Sequence, residues 1–355
     1  MPTIDVNKKS TGRRKIIAPL IIIAIAVLIP TMMENNIIFS PNNYFYLLLC
    51  FSAIYAIATS GLDILYGYTG QISFGHAGFF AIGSYISVLL CHPAWGISQW
   101  FGFTLPPSIT IFVAAFVSMI IGVLLSLPAS KLVFHFLSLL TIAFGQLIFL
   151  TITSFPKITN AYRGITAIPQ ISFFGISFSA VSSKYRFFLL SLFFLVIFLI
   201  IKQNIVKSRI GRGFSAIREN ILAANGCGIN VRYYKMMSFG ISAFYTGFAG
   251  ALYAHMVGFI SPDTYVANTS NIMMTMLLFG GNGNLAGPVI GATVITLIQE
   301  GLAELKDYRM LIFGIFLLIV ILFQPNGLYG LYLSTVSKIK KRLASRKEVK
   351  PNAEA

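Results

Sequence analysis

The sequence predicts an all-α, polytopic helical membrane protein of about ten transmembrane helices, and three observations carry that prediction. Of its 355 residues, 56% are hydrophobic and only 10% charged, with a mean hydropathy of +0.81. Apolar runs of roughly 20 residues recur, the length a helix needs to cross a hydrocarbon core of about 30 Å. Of the 26 basic residues behind the formal charge of +16, 19 gather at 8–15, 202–235 and 338–350, a grouping that holds loops on the cytoplasmic side. With the charge placed this way, membrane lipid is the expected partner and nucleic acid is not.

The N-terminus starts the count. Lys8, Lys9, Arg13, Arg14 and Lys15 before an apolar stretch resemble the charged region of a signal peptide. The following Pro-Thr-Met-Met-Glu at 30–34 has no small-residue cleavage pattern, and more spans follow. Residues 16–33 therefore read as a retained first helix, behind a basic cytoplasmic N-terminus at 1–15. Further apolar stretches fall at 43–66, 76–92, 107–127, 132–153, 186–201, 236–256, 268–281, 286–303 and 308–324, bounded by Gly, Pro, Asn and charge. Ten spans place both termini and the basic segment after the sixth span in the cytoplasm, in agreement with the charge rule. Gly78 and Gly83 interrupt 76–92, and 268–281 has only about 14 residues, so the count is bounded at eight to ten. Residues 154–185 form the main external loop, 16–330 the transmembrane domain, and 331–355 a basic cytoplasmic tail.

Two Gly-rich segments interrupt the apolar sequence: Gly67-Tyr-Thr-Gly-Gln-Ile-Ser-Phe-Gly-His-Ala-Gly78 and Gly280-Gly-Asn-Gly-Asn-Leu-Ala-Gly-Pro288. Non-helical backbone at membrane depth is tolerated only under a cover of protein or beside a water-filled cavity. One reading is a transport site built from broken helices, whose N-termini offer N–H groups to an anionic solute. Gly70, Gln71, Ser73, Gly75, Gly281 and Gly283 are then candidates for the translocation path. The other reading is a pair of interfacial turns whose glycines let helices pack closely. Spacing alone leaves the two open.

Enzymatic chemistry finds little support. No phosphate-binding Gly-x-x-x-x-Gly-Lys-Ser/Thr, no His-Glu-x-x-His and no Gly-x-Ser-x-Gly occurs, and acidic residues are scarce. No catalytic residue, metal site or cofactor is expected in this chain. Asp63 reads as an interfacial residue capping a helix end, against a functional carboxylate at membrane depth with His76 thirteen residues later. His92, His135 and His255 read as satisfied interfacial histidines. Cys50, Cys91 and Cys227 make neither a disulfide framework nor a metal-ligand spacing.

The basic segment is the most informative. A helix over 213–225 puts Phe214, Ile217, Ile221 and Ala224 on one apolar stripe, with Arg218, Glu219 and Asn220 off it. At 1.5 Å per residue it is a rod of roughly 20 Å, suited to lie across the cytoplasmic face. Gly226 and Gly228 end it through a left-handed cap. Such a helix rests on anionic lipid or inserts into a protein groove; its narrow stripe suits the groove at least as well.

Ala223-Ala224-x-x-x-Gly228 resembles part of the Glu-Ala-Ala-x-x-x-Gly coupling loop of ABC importer permeases. The wider string from Gly211-Arg-Gly-Phe-Ser-Ala-Ile-Arg-Glu-Asn to Gly-Ile-Asn230 resembles the LivM-type permeases of branched-chain amino-acid ABC transporters. So do the first Gly-rich segment, Gly250-Ala-Leu-Tyr-Ala-His255 with Phe259-Ile-Ser-Pro262, the second Gly-rich segment, and Pro325-x-Gly-Leu328. Leu222 departs from the pattern, standing where the general coupling loop has Glu.

The resemblance implies an inner-membrane permease subunit, without an ATPase site of its own, in a bacterial importer of leucine, isoleucine and valine. A related urea or other amino-acid importer is the alternative within the family. The implied partners are a second permease of similar fold, two cytoplasmic ABC ATPases that bind ATP and Mg, and an external solute-binding protein. The coupling helix is then 213–228, with Arg218, Glu219, Ala223, Ala224 and Gly228 as its contact residues. Loop 154–185 and Ser261-Pro-Asp-Thr264 become a docking surface for the binding protein, or a solvated loop. Ala224→Asp and Gly228→Arg are expected to abolish uptake by forcing bulk into a close-packed contact. A proton-coupled carrier is the rival from another class, and it needs Asp63 and His76 as a working pair.

Overall fold

The computed structural model describes residues 43–96, 102–130, 134–173, 176–178, 184–302 and scattered positions between 308 and 330. The first helix expected at 16–33, both basic ends and most of the last span expected at 308–324 lie outside the described residues. Every expected span in between is occupied by a helix. Helix α1, Asn43–Asp63, continues into a π-helical turn, Ile64–Tyr68. There follow α2, His76–Cys91, α3, Pro107–Ala129, α4, Phe134–Ser154, and the single turn α5, Pro156–Thr159. Then come α6, Lys184–Lys207, the insert helices α7, Arg209–Glu219, and α8, Ile221–Gly226, and α9, Val231–Val257. Helices α10, Ala267–Gly280, and α11, Gly287–Gly301, complete the described bundle.

Helix α9 sits at the centre, packed on α1, α2 and α3, while α1 also meets α6 and α11. The close approach has a sequence cause. A methyl group on Gly83 would strike the carbonyl of Gly247, one on Gly250 the carbonyl of Phe80, and one on Gly122 the side chain of Ala243. Without a hydrophobic drive between helices in lipid, such small-residue contacts let dispersion and backbone packing hold the bundle.

The outer wall is as apolar as the core. Helix α3 exposes Ile109, Phe112, Phe116, Ile120 and Leu124 at three- to four-residue spacing, and α4 exposes Phe136, Leu139, Leu147 and Leu150. A continuous stripe of this kind is a lipid-facing surface rather than a water-facing one. Tyr44–Tyr68, Pro107–Ala129, Phe136–Ser154 and Lys184–Lys207 are long and apolar enough to cross a membrane unaided. The chain is a multi-pass helical membrane protein. Helices α2, α10 and α11, of 16, 14 and 15 residues, are shorter than a full crossing and buried among the others.

The two faces of the bundle differ. On one, the described residues between 154 and 173 fold back over the helix ends, and a short β-ribbon pairs Ile171–Phe173 antiparallel with Ile176–Phe178. Ile165 and Ile260 exchange backbone bonds of 2.9 and 3.1 Å, and the Ser108 hydroxyl donates to the Ser172 carbonyl at 2.6 Å. His92 Nε2 lies 3.1 Å from the Thr166 carbonyl; His255 lies 2.8 Å from the Pro169 carbonyl and 2.9 Å from the Ser87 hydroxyl. Both are satisfied histidines at helix ends, while the side chain of His135 is outside the described residues. The other face carries α7, α8 and both Gly-rich turns. Cys50 and Cys91 are buried and Cys227 exposed, all three as free thiols.

Candidate functional site

The insert opens at Ser208, whose hydroxyl accepts the Ile210 N–H at 3.1 Å. Helix α7 then stops at Glu219, because Asn220 is extended (φ −159°, ψ 113°) and its side-chain oxygen accepts the Leu222 and Ala223 N–H groups at 2.9 and 3.1 Å. The single helix expected over 213–225 is therefore two. An asparagine side chain offers the backbone an N-cap in place of the next helical bond, and here the cap wins. The stripe divides accordingly: Phe214, Ile217 and Ala224 are buried, but Ile221 is 47% exposed. Phe214 packs edge-on to Tyr234 with ring centroids 6.0 Å apart.

Helix α8 is a short projecting tip. It ends with Gly228 at φ +80°, where the Gly228 N–H reaches the Asn225 carbonyl (3.0 Å) and the Ile229 N–H the Ala224 carbonyl (3.1 Å). This is the paired closure of a Schellman cap, for which glycine is required by the left-handed backbone. A side chain at Gly228 would meet nothing within 4 Å in this chain, so what the chain itself requires there is the left-handed backbone. Ala224 is the packed position. Glu219 and Ala223 face outward, and Leu222 is 83% exposed, the most exposed large hydrophobic side chain among the described residues.

Arg218 turns the other way. Its guanidinium donates to the Gly67 carbonyl in the turn that ends α1, and its side chain lies against both Gly70 and Gly283. Below it, Asp63 and Lys202 form an ion pair at 2.8 Å, both side chains fully buried. The other Asp63 oxygen accepts the Gly283 N–H at 2.7 Å, and Lys202 Nζ donates to the Asn284 carbonyl at 3.1 Å. Asp63 is thus not a cap of its own helix: it holds a turn 220 residues away. Nor is His76 its partner, since that imidazole lies between the Ser73 hydroxyl (3.0 Å) and the Ser242 hydroxyl (2.7 Å).

The six path candidates separate into two groups. Gly70, Gly281 and Gly283 lie with the insert, whereas Gln71, Ser73 and Gly75 contact other helices. The Gln71 amide donates to Thr69 (2.9 Å) and to Ser238 of α9 (2.8 Å), and Gly75 abuts the Thr141 carbonyl of α4. Amides at the start of α2 are engaged within the protein, Phe74 N–H just before the helix with the Thr141 hydroxyl (3.1 Å) and Ala77 N–H in its first turn with the Ser270 hydroxyl (2.8 Å). At the second turn the Gly287 N–H is taken by Asn284. Close packing accounts for Gly75, and positive φ for Gly70, Gly281 and Gly283.

Lys202 and Asn284 were not singled out by sequence reasoning. A signal was present: ten acidic residues in the chain, one of them at the end of the second span, and a lysine at the matching end of the sixth. An acid and a base at the same depth on the same face are natural partners where unpaired charge is costly.

A family model described as the permease component of the branched-chain amino acid transport system matches residues 44–322. The chain is 28% identical over 295 residues to the high-affinity branched-chain amino acid transport permease LivM of Escherichia coli, covering 78% of this chain and 67% of the relative. It is 26% identical over 297 residues to BraD, a permease of the same description from Pseudomonas aeruginosa, covering 79% and 93%. A probable LivM of Methanocaldococcus jannaschii is 23% identical over 326 residues, covering 79% and 92%. No solved structure matches this chain.

Proposed function

The chain belongs to the permease-component family of branched-chain amino acid transport systems, and on that premise we propose that it is the inner-membrane subunit through which leucine, isoleucine and valine enter the cell. Hydrolysis of ATP occurs on two separate cytoplasmic ABC ATPases, and an external binding protein delivers the solute to this subunit and a second permease of similar fold. The observation that carries the reading is the joined α7–α8 insert: a capped tip exposing Glu219, Leu222 and Ala223, rooted by buried Phe214, Ile217 and Ala224. A tip of this shape fits a groove on an ATPase. Its basic flanks, including Lys207, Arg209, Arg212 and Arg232, support a cytoplasmic insert, and the basic residues at 8–15 and 338–350 support cytoplasmic termini by the same positive-inside rule.

The departure at Leu222 changes the contact from a carboxylate to an apolar knob, so docking at that position runs on burial. The path for the solute passes the first Gly-rich segment, where the side-chain oxygen of buried Gln71 has no partner among the described residues. ATP and Mg bind the partner ATPases rather than this chain. The reading is tested with Leu222→Arg, at the exposed apolar knob, in cells dependent on this system for leucine. The variant chain is expected in the membrane at normal abundance, with ATPase co-purification and leucine uptake lost. Normal uptake with the ATPases still attached would refute the docking assignment.

A further inference from the structure

We propose that the buried Asp63–Lys202 pair, together with Arg218, is a positioning device that makes the second Gly-rich turn move with the coupling helix; this rests on the docking reading above. Two lines of contact lead inward from the insert. Arg218 on α7 holds the Gly67 carbonyl at the end of α1. Lys202 stands near the end of α6, which runs into α7 after Ser208, and it holds the Asn284 carbonyl. Asp63 joins the lines, pairing with Lys202 at 2.8 Å and accepting the Gly283 N–H at 2.7 Å. The turn so gripped is the joint between α10 and α11. Its backbone at Gly281 (φ +101°) and Gly283 (φ +71°) takes conformations that favour glycine.

The choice of charge is the telling point. Two ions taken out of water are costly, and a well-packed apolar pair at such a site is often as stable or more so. Adhesion alone therefore does not require Asp63 and Lys202. What an ion pair adds is direction: each member spends a remaining hydrogen-bonding position on a particular backbone atom of the turn, which fixes the register of α1, α6 and the α10–α11 joint. A displacement of α7 then reaches the turn through Lys202 and through Arg218 together. A bistable transporter needs this kind of stiff connection between the partner-bound element and the helices that open and close.

The test replaces the pair by an apolar one, Asp63→Leu with Lys202→Met, because either change alone leaves a buried unpaired charge and threatens folding. The full assembly, purified with its ATPases, is assayed in proteoliposomes for leucine transported per ATP hydrolysed. Hydrogen exchange in residues 280–288 is measured with and without ATP. The expected result is a fall of at least tenfold in leucine per ATP, with ATP altering exchange at 280–288 in the unmodified assembly but not in the variant. Leucine transport per ATP within twofold of the unmodified assembly would overturn the proposal, as would an exchange pattern at 280–288 that ATP never changes. Failure of the docking reading shows separately, as ATPases that stay bound to Leu222→Arg.

Discussion

At the scale of single residues, charge burial decides what Asp63 and Lys202 are. A carboxylate and an ammonium with no exposure persist only because each has the other at 2.8 Å and a backbone partner besides. Removing one member strands the other in a low-dielectric interior, a loss of about 3–5 kcal/mol, whereas replacing both by apolar groups is close to neutral. Lys202→Met alone is therefore expected to lower the thermal unfolding midpoint of the purified permease sharply, and adding Asp63→Leu to recover most of it. Equal midpoints for the single and double variants would show that the carboxylate does not depend on its lysine. Histidine follows the same logic in milder form. His76, His92 and His255 each sit against hydroxyl or carbonyl groups, which is how an imidazole is accommodated at depth without acting as a ligand.

At the scale of elements, the joint at Asn220 is the feature on which the insert turns. One side chain accepts two amide protons, ends α7 and starts α8. Asn220→Ala removes that cap at a cost of about 1 kcal/mol, and a six-residue helix has no reserve to absorb it. Amide exchange across 221–227 is expected to accelerate several-fold while α7 stays protected; unchanged exchange would mean that the Schellman closure at Gly228 holds α8 unaided. The helices themselves were legible because hydropathy runs and Gly, Pro and Asn boundaries report a local, periodic preference. The split at 220 was not, since Phe214, Ile217, Ile221 and Ala224 keep helical spacing whether or not an asparagine cap intervenes. The ribbon at 171–178 was hidden for a similar reason: its Phe, Ile and Ser residues carry no turn dipeptide strong enough to announce it. The resemblance implies Arg218 as a contact residue; its bond to Gly67 is a tertiary contact that no local pattern encodes.

For the whole molecule, the question is which energy source the architecture can use. A proton-driven carrier needs a titrating group that exchanges partners within the membrane. Asp63 and His76 were the candidates, and the fold separates them: the carboxylate is locked to Lys202 and Gly283, and the imidazole to Ser73 and Ser242. The polar network runs instead toward the insert face, where α7 and α8 leave an exposed tip. On the docking proposed above, work applied to that tip would reach α1 through Arg218 and the α10–α11 joint through Lys202, and the energy would enter from outside the membrane, by contact. It follows that leucine uptake should survive a protonophore as long as cellular ATP is maintained, and should fail when ATP is depleted with the proton gradient intact. Fermenting cells allow the two to be varied independently. Loss of uptake on collapse of the gradient at constant ATP would return the ionisable groups to the centre of the mechanism, and the insert would then need another role.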